Sequence, residues 1–481
     1  MPIFRLQPRA CGRKEVHRAM PSPVRSRSQE MNMTEGPVLG KMILFTLPVL
    51  ASGILQLLFN AADVAVVGKF VGEAAMAAVG GCGALINLIT NLFIGLSVGA
   101  GVIAAQDLGA KRYGDVNQLV STSLTASLIG GVVVGVFGFA LAEPLLRLMD
   151  TPDDVLAEAV PYMCAYFCGM PGCLVYNYLA AILRSGGDTK RPLYFLTTAG
   201  VVNVILNLVM VLGFGMGAIG VGIATAVSQY VAAGLTVFYM LRTEGYFRIT
   251  GFRVSGPKLL RMVTIGLPAG LQGCMFSLSN VIIQSTVNGY ATTVIAGNTA
   301  ASNLEGFVYI AMNSVYHTAL TFVGQNVGAG KYDRIKKISL QCIGMVMVIG
   351  LGLGESVFIF GKYLLQIYVT EENSAAVTAA GLNRLSVICS TYFLCGLMDV
   401  ACGILRGMGK AIQPMIVSLL GSCVFRIVWV ATVCPLYPDN ILALYISYPI
   451  SWILTAAVQY VFCVYFYRRF MKRHRPQPHN I

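Results

Sequence analysis

Two stretches of the chain, ILRSGGDTKRP at 182–192 and ILRGMGKAIQP at 404–414, decide the fold, because they indicate that the sequence contains a duplication. Both carry the triplet Ile-Leu-Arg, then a glycine three residues after the arginine and a proline eight residues after it. The two stretches lie 222 positions apart. A single match of this kind is weak evidence for a duplication.

Two further pairs of motifs fall at nearly the same spacing and in the same order. Leu47-Pro48 recurs 220 positions later as Leu267-Pro268. QDLGA at 106–110, followed by Tyr113, recurs 219 positions later as QNVGA at 325–329, followed by Tyr332. Three ordered matches at one spacing predict two similar halves.

The composition places the chain in the membrane. Of 481 residues, 56% are hydrophobic and 11% charged, and the mean hydropathy is +0.70, whereas soluble domains carry about 25% charged residues. The net charge of +13 is located between apolar runs and at the ends, so we expect no nucleic-acid partner. The 13 cysteines form no CxxC or Cys/His cluster, which argues against a metal site or a disulfide framework.

Twelve apolar runs are long enough to cross the bilayer as helices. Several exceed the minimum length, so we expect tilted or protruding helices. The predicted spans are 42–67, 76–104, 118–142, 157–183, 192–213, 217–241, 262–287, 293–323, 338–361, 375–405, 412–435 and 440–467.

Basic residues orient these spans. With both termini on the same side, 29 of the 34 Lys and Arg residues fall on that side, three (Lys69, Arg147 and Lys362) on the other, and two (Arg384 and Arg426) inside spans. The positive-inside rule then predicts a multi-pass plasma-membrane protein with cytoplasmic termini. We interpret residues 1–32 as a disordered extension and residues 468–481 as a basic cytoplasmic tail.

Each repeat holds six spans, so both halves have the same orientation. Halves of this kind are related by an axis along the membrane normal and enclose a central cleft. The prediction is an all-α integral membrane protein with an N-terminal lobe at 33–241, a cytoplasmic linker at 242–261 and a C-terminal lobe at 262–467. Rocking of the lobes would expose the cleft to each side in turn.

The motifs, taken in order, resemble those of the multidrug and toxic compound extrusion (MATE) family. They are Pro48, Gln56, Asp63 and Gly68 in the first span, AQDLGA, LRSGGDTKRP, GIATA in the sixth span, GQNVGAG and LRGMGK. The resemblance runs from about Met33 to the end of the twelfth span. It implies a V-shaped pair of six-helix bundles that export small organic, often cationic compounds in exchange for Na⁺ or H⁺. We expect a monomer that needs no cofactor.

Asp63 is the leading candidate for a coupling site in the first lobe. A charge at the centre of a spanning helix costs roughly 2.5–3.5 kcal/mol on insertion scales. Asn203 and Asn207, one turn apart, and Thr225 can reach the depth of Asp63, and such oxygens suit a hard cation. Two alternatives stay open: Asp63 could face water at a helix end, and the amides could serve ordinary interhelical hydrogen bonding.

The resemblance implies that these four residues match the cation site of the family's N-terminal lobe. Some relatives carry Asp where this chain has Asn207. This departure leaves the choice between Na⁺ and H⁺ open.

In the second lobe, Glu305, Asp399 and Arg426 lie within spans. Because an unpaired charge at mid-membrane is expensive, we predict that Arg426 pairs with Glu305 or, as second choice, with Asp399. The resemblance gives acidic residues in spans eight and ten a role in coupling; the alternative is a purely structural ion pair. Phe276 stands where some relatives carry a third acid.

Several polar residues are candidates for the wall of the substrate cleft, although packing into the helix core is an alternative for each. They are Gln56, Asn177, Gln272, Asn280 and Gln284. His317 in span eight is expected to be a hydrogen-bonded interior histidine.

Other functions are less well supported by the sequence. The first alternative is an exporter of a lipid-linked saccharide from the same superfamily, but such proteins often have fourteen spans and a more cationic cleft. An enzyme is disfavoured because no HExxH, GxSxG or paired His/Asp motif occurs at a membrane face. A channel would not need a carboxylate buried in one lobe, and the repeat suits alternating access better.

Overall fold

The computed structural model describes residues 31–149, 151–367, 374–438 and 440–473, and within these ranges it contains helices and no strand. The predicted all-α class is therefore confirmed. Residues 1–30 and the end of the predicted basic tail lie outside the described residues.

The first half of the chain forms seven helices, and a short π-helical turn, Val209–Gly213, continues the sixth. They are α1 (Val38–Phe70), α2 (Glu73–Gly109), α3 (Tyr113–Leu148), α4 (Asp153–Cys168), α5 (Met170–Ser185), α6 (Lys190–Leu208) and α7 (Gly217–Arg242).

The second half adds nine helices, and a π-helical segment, Leu419–Val424, joins α14 to α15. They are α8 (Gly256–Val287), α9 (Thr292–Gly328), α10 (Tyr332–Ile359), α11 (Gly361–Gln366), α12 (Ser374–Thr391), α13 (Phe393–Gly407), α14 (Ile412–Ser418), α15 (Phe425–Thr432) and α16 (Leu442–Arg473).

These helices account for all twelve predicted spans. In the described part of the chain, nine helical segments are long and apolar enough to cross a membrane alone, and two bent pairs raise the number to eleven. The bent pairs, α4 with α5 (46°) and α12 with α13 (44°), occupy equivalent places in the two repeats. The remaining span is α9, which has 37 residues and is more polar because it carries side chains such as Asn298 and Glu305.

The helices form two lobes, each with its own apolar core. Residues from α2 to α7 dominate the first core, and residues from α9, α10, α13 and α16 dominate the second. Twelve membrane helices in two six-helix bundles are therefore the architecture of the chain. The exact lobe and linker boundaries stay predictions.

Helix α1 packs against both lobes. Its first half contributes Val38, Met42, Phe45 and Val49 to the core of the second lobe. Its second half packs against α6 and α7 of the first lobe. Pro48 lies inside the helix between the two halves, where it removes a backbone hydrogen bond and allows bending. A change at either end of α1 can therefore be transmitted to the opposite lobe.

A seam of glycines brings the lobes into contact along α2 and α8. An added Cβ at Gly95 or Gly99 would overlap backbone atoms around Gly270 or Gly266. Small residues permit such close approach of membrane helices. Further along α2, Asn91 donates to Ser277 at 3.2 Å.

Both described ends of the chain lie on one side of the membrane, which we call the terminal side. Phe470 of α16 stacks on Tyr332 with ring centroids 5.4 Å apart, and Lys331 contacts Glu35 at 3.2 Å. Farthest from the terminal side, α2 and α8 are joined by the Asn91–Ser277 bond and, at nearly the same level, by Cys274 Sγ, which donates to Leu88 O at 3.2 Å. The other hydrogen bonds of α2 to the second lobe lie nearer the terminal side. The cleft between the lobes thus opens on the side opposite the termini.

Two reciprocal hydrogen bonds close the terminal side. Gln106 Nε2 of α2 donates to Gly407 O at the end of α13, at 2.9 Å. Gln325 Nε2 of α9 donates to Ser185 O at the end of α5, at 2.7 Å. Because these glutamines and carbonyls are repeat counterparts, each repeat holds the other in the same way. We call this pair of contacts the glutamine latch.

Replacing both latch glutamines should loosen the terminal side. Two net hydrogen bonds are together worth about 1–3 kcal/mol, so Gln106→Leu/Gln325→Leu should raise the opening equilibrium roughly tenfold. Amide hydrogen exchange of the purified protein in lipid nanodiscs measures this at residues 105–110 and 324–329, with each single variant showing a smaller increase. Gln118→Leu, an exposed glutamine on α3, is the matched control. Unchanged exchange in the double variant would contradict the latch.

Candidate cation-coupling site

Asp63 is buried in the second half of α1, with 7% of its surface exposed. It faces α6 and α7, and the approach of α1 to α6 is close because Gly200 lacks a side chain: a Cβ there would overlap the Phe59 ring. Asp63 is therefore not at a water-facing helix end. This excludes the first alternative considered for this residue.

Asn203, Asn207 and Thr225 converge on the Asp63 carboxylate as expected from their depth. Asn207 Nδ2 donates to Asp63 Oδ1 at 2.5 Å and to Asn203 Oδ1 at 3.3 Å. Thr225 Oγ1 donates to Asp63 Oδ2 at 3.4 Å. Asn203 Nδ2 donates to the Thr225 hydroxyl at 3.3 Å. All four residues thus form one polar network, which we call the Asp63 cluster.

The Asp63 cluster has no positive charge of its own. None of the ion pairs among the described residues includes Asp63, and its hydrogen-bond donors are amide and hydroxyl groups. In addition, Asn207 Oδ1 is buried without a hydrogen-bond partner. Buried carboxylates need compensation, and orphaned acceptor oxygens need a donor or a cation. A proton on Asp63 would neutralise the carboxylate, and a small hard cation among these oxygens would meet both needs.

The local helix geometry supports this cluster. The π-helical turn Val209–Gly213 begins two residues after Asn207. Such turns inside helices occur frequently at functional sites. Here the turn shifts the helical register beyond the asparagines without interrupting the span.

The predicted pairing of Glu305 with Arg426 is wrong. Glu305 instead forms a bidentate pair with Arg384 of α12: Nε donates to Oε1 and Nη2 donates to Oε2, both at 2.8 Å. Arg384 Nη1 also donates to Asn298 Oδ1 at 2.7 Å. The physical reason is helix adjacency, since α12 packs on α9 whereas α15, which carries Arg426, packs on α8 and α16.

Arg426 has no acidic partner among the described residues, contrary to the expectation from charge alone. Its Nε donates to Ser451 Oγ at 2.9 Å. Its guanidinium lies 4.2 Å from the Tyr448 ring centroid and 5.6 Å from that of Trp452. Cation–π contacts therefore take the place of the predicted ion pair.

Asp399 of α13, the second choice as a partner for Arg426, does not pair with it either. It forms no ion pair with a described residue, and its Oδ2 is buried without a hydrogen-bond partner. It lies within electrostatic range of Tyr309 and Arg406. The second lobe therefore holds a half-buried carboxylate, one oxygen of which is buried and unsatisfied.

The five candidate cleft residues occupy different environments. Gln56 and Asn280 are exposed. Asn177 is half-buried and donates to Cys173 O at 2.8 Å. Gln284 bonds Asn288 and Asn298. Gln272 is buried and accepts from Arg406 Nη2 at 2.8 Å, so it lies beneath the cleft in this conformation rather than on its wall.

His317 differs from the expectation of a hydrogen-bonded histidine. No hydrogen bond of its side chain to a described residue occurs, and its ring packs edge-on against Tyr316 with centroids 5.0 Å apart. It lines a small cavity together with Arg184. Both Arg184 and Arg406 were counted with the cytoplasmic loops, but they belong to the last turns of α5 and α13.

The sequence alone did not predict two features of the structure, the pairing of Arg384 and the glutamine latch. Arg384 was recognised as lying inside a span, but its depth alone could not distinguish it from Arg426. The glutamines of the latch belong to a repeated motif, QDLGA at 106–110 and QNVGA at 325–329. A polar residue at the same position of both repeats is the sequence feature that indicates a symmetric contact.

Twelve helices in two lobes, with a buried carboxylate cluster in one lobe and a cleft between them, define a membrane transport protein. The MatE family model matches residues 48–209 and 268–432, once in each half. The chain belongs to the MATE family of multidrug efflux transporters.

Individual relatives support the same assignment. The probable multidrug resistance protein YoeA of Bacillus subtilis (strain 168) is 27% identical over 430 residues, which cover 87% of this chain and 92% of that protein. A multidrug resistance MATE family transporter of the MOP superfamily, solved in an outward-facing conformation, has a similar fold with a TM-score of 0.85 at 20% identity, covering 92% of this chain and 99% of that one. A MOP superfamily transporter from Pyrococcus furiosus, whose binding pocket has reversed polarity suggesting a different function, also has a TM-score of 0.85, at 19% identity over 91% of this chain and 98% of that one.

Proposed function

We propose that this protein is a secondary active antiporter that exports small organic, often cationic compounds in exchange for Na⁺ or H⁺. The observation that carries the proposal is the Asp63 cluster: a buried carboxylate surrounded by amide and hydroxyl groups, with no cationic side chain among the described residues to neutralise it. A transported cation or proton would supply the missing charge. The coupling ion is part of the transport reaction, and no resident cofactor is invoked.

The position of Asp63 on α1 offers a route from cation binding to lobe movement. Neutralising Asp63 changes the interaction of α1 with α6 and α7 in the first lobe. The other half of α1 stays in the core of the second lobe, where Thr46 and Thr318 hydroxyls lie 2.7 Å apart. A ligand shifts a conformational equilibrium by its differential affinity for the two states. Cation binding would therefore favour one lobe arrangement through α1.

Substrate would enter the cleft between the lobes, and the exposed residues Gln56 and Asn280 are the candidates for its wall. With cytoplasmic termini in the plasma membrane, as the distribution of Lys and Arg predicts, the present conformation faces outward. Release of the glutamine latch would then open the cleft to the cytoplasm. The names of the relatives, such as the probable multidrug resistance protein YoeA, support the proposal that the substrates of this chain are drug-like organic compounds.

Export of a lipid-linked saccharide is less well supported than drug export. Such a substrate carries phosphate and would need exposed cationic side chains in the cleft. Arg384, Arg406 and Arg426 are instead buried and bonded to protein groups. No feature of the described part of the cleft favours this alternative.

Dye efflux from membrane vesicles under separately imposed Na⁺ and H⁺ gradients tests the proposal. A fluorescent organic cation such as ethidium should be transported out of the compartment that corresponds to the cytoplasm. This transport should require an imposed gradient of one of the two ions, Na⁺ or H⁺. Vesicles without the protein provide the background. Equal dye movement with and without both gradients would reject antiport.

A further inference from the structure

A small cavity of about 30 Å³ lies between the lobes, on the terminal side of the cleft. The first lobe contributes Ser97, Gly101 and Arg184 to its lining, and the second contributes His317, Leu320 and Thr321. The proposed antiport reaction uses none of these residues. The cavity is distinct from the Asp63 cluster, with which it shares no residue.

The cavity exists because the two repeats differ at this point. Tyr316 stands 219 positions after Ser97, and Leu320 stands 219 positions after Gly101. This is the spacing that relates Gln106 to Gln325. The first repeat therefore has a serine and a glycine where the second has a tyrosine and a leucine, and the lost volume lies beside Arg184.

The same difference removes the groups that would hold Arg184. Its counterpart Arg406 donates from Nη1 to Tyr316 Oη at 2.6 Å and from Nη2 to Gln272 Oε1 at 2.8 Å. Ser97 replaces that tyrosine in the first repeat, and Ser52, 220 positions before Gln272, replaces that glutamine. Among the described residues, Arg184 has no hydrogen-bond or ion-pair partner for its guanidinium.

Arg184 is half-buried, and a partly desolvated guanidinium without a partner is less favourable than a paired one. The nearest acid along the chain, Asp188, is paired with Arg191 at 2.5 Å. The cavity lining contains no acidic residue. The hydroxyls of Ser97 and Thr321 donate to carbonyls of their own helices, whereas the imidazole of His317 keeps a ring N–H that can donate to a ligand. The charge and this donor together select an anion.

The volume restricts what this anion can be. A water molecule needs about 10–15 Å³ by this measure, so the cavity accepts one small ion with little else. We propose that the cavity is a binding site for a small inorganic anion of the size of chloride, held by Arg184 of the first lobe and by His317 of the second.

An anion in this position contacts both lobes at once. Its binding therefore favours the arrangement in which the terminal side is closed, and the anion acts together with the glutamine latch. When the lobes separate, Arg184 becomes more accessible to water and the ion loses its contact with His317.

The thermal unfolding midpoint of the purified full chain tests this site, followed by the fluorescence of Trp429 and Trp452. At equal sodium concentration and ionic strength, replacing gluconate by chloride should raise the Tm by about 1–3 °C when chloride is present at several times its Kd. Arg184→Gln should show the same Tm in both salts, and in gluconate it should be at least as stable as the unaltered protein. Arg147→Gln, at an exposed arginine, should keep the full chloride effect.

A second variant guards against misfolding of Arg184→Gln. His317→Phe keeps the charge of Arg184 and an aromatic ring but removes the ring N–H donor, so it should raise the chloride concentration for the half-maximal effect several-fold. Equal Tm values of the unaltered protein in chloride and gluconate would show that the cavity holds only water and would overturn the proposal. So would a chloride effect that persists in Arg184→Gln.

Discussion

Asp63→Asn should abolish gradient-driven efflux while leaving membrane insertion and abundance unchanged. Asparagine has nearly the same shape as a neutral aspartic acid and can keep hydrogen bonds to Asn207 and Thr225. It cannot gain or lose a proton, and it removes the charge that would attract Na⁺. The transporter should therefore still bind dye but fail to move it against a gradient, with efflux at the level of vesicles without the protein.

The Asp63 prediction has a matched control and a graded series. Asp154→Asn changes an exposed aspartate at the start of α4 and should transport normally. Asn203→Ala, Asn207→Ala and Thr225→Ala keep the carboxylate and should shift the cation concentration at half-maximal efflux. Full efflux by Asp63→Asn would refute the assignment and direct attention to Asp399, a half-buried carboxylate whose Oδ2 has no hydrogen-bond partner among the described residues.

Removing either partner of the Glu305–Arg384 pair should greatly reduce the amount of folded protein. Arg384→Gln leaves Glu305 as an unpaired buried carboxylate, and Glu305→Gln leaves an unpaired buried guanidinium. Breaking a buried pair in this way costs about 3–5 kcal/mol, a large part of the stability of a typical domain. Size-exclusion chromatography after mild detergent extraction measures the surviving fraction.

The double variant Glu305→Gln/Arg384→Gln should recover much of the loss, because neither charge then remains uncompensated. Glu143→Gln and Arg147→Gln break an exposed pair, whose side chains keep 54% and 60% of their surface accessible, and should have little effect. If both buried single variants are as abundant as the unaltered protein, the pair does not stabilise the fold.

Hydropathy and the repeat were sufficient to predict the helices and the Asp63 cluster, because both depend mainly on position along the membrane normal. The distance of Asn207 and Thr225 from the ends of their spans placed them at the depth of Asp63. The two lobes followed from six spans per repeat. The spacing of the motifs also predicted which residues would be counterparts, such as Gln106 and Gln325.

Depth alone could not predict which helices are neighbours. Arg384 and Arg426 both lie inside spans of the second lobe, but only α12 places its arginine against Glu305. For the same reason, the sequence did not predict that α1 packs against both lobes, because an apolar run does not show which hydrophobic core it packs into. The apolar run ends at residue 183, so hydropathy predicts that Arg184 lies in a loop. The helix α5 in fact continues past the apolar run to Ser185.

The most direct test of the account is the movement of cations driven by substrate alone. Purified protein in liposomes, with no imposed Na⁺ or H⁺ gradient, is given a gradient of ethidium, and internal Na⁺ and pH are followed with separate indicators. We predict that one cation moves in the direction opposite to the dye, and that Asp63→Asn removes this movement. Dye transport by the unaltered protein without countermovement of either cation would contradict the account.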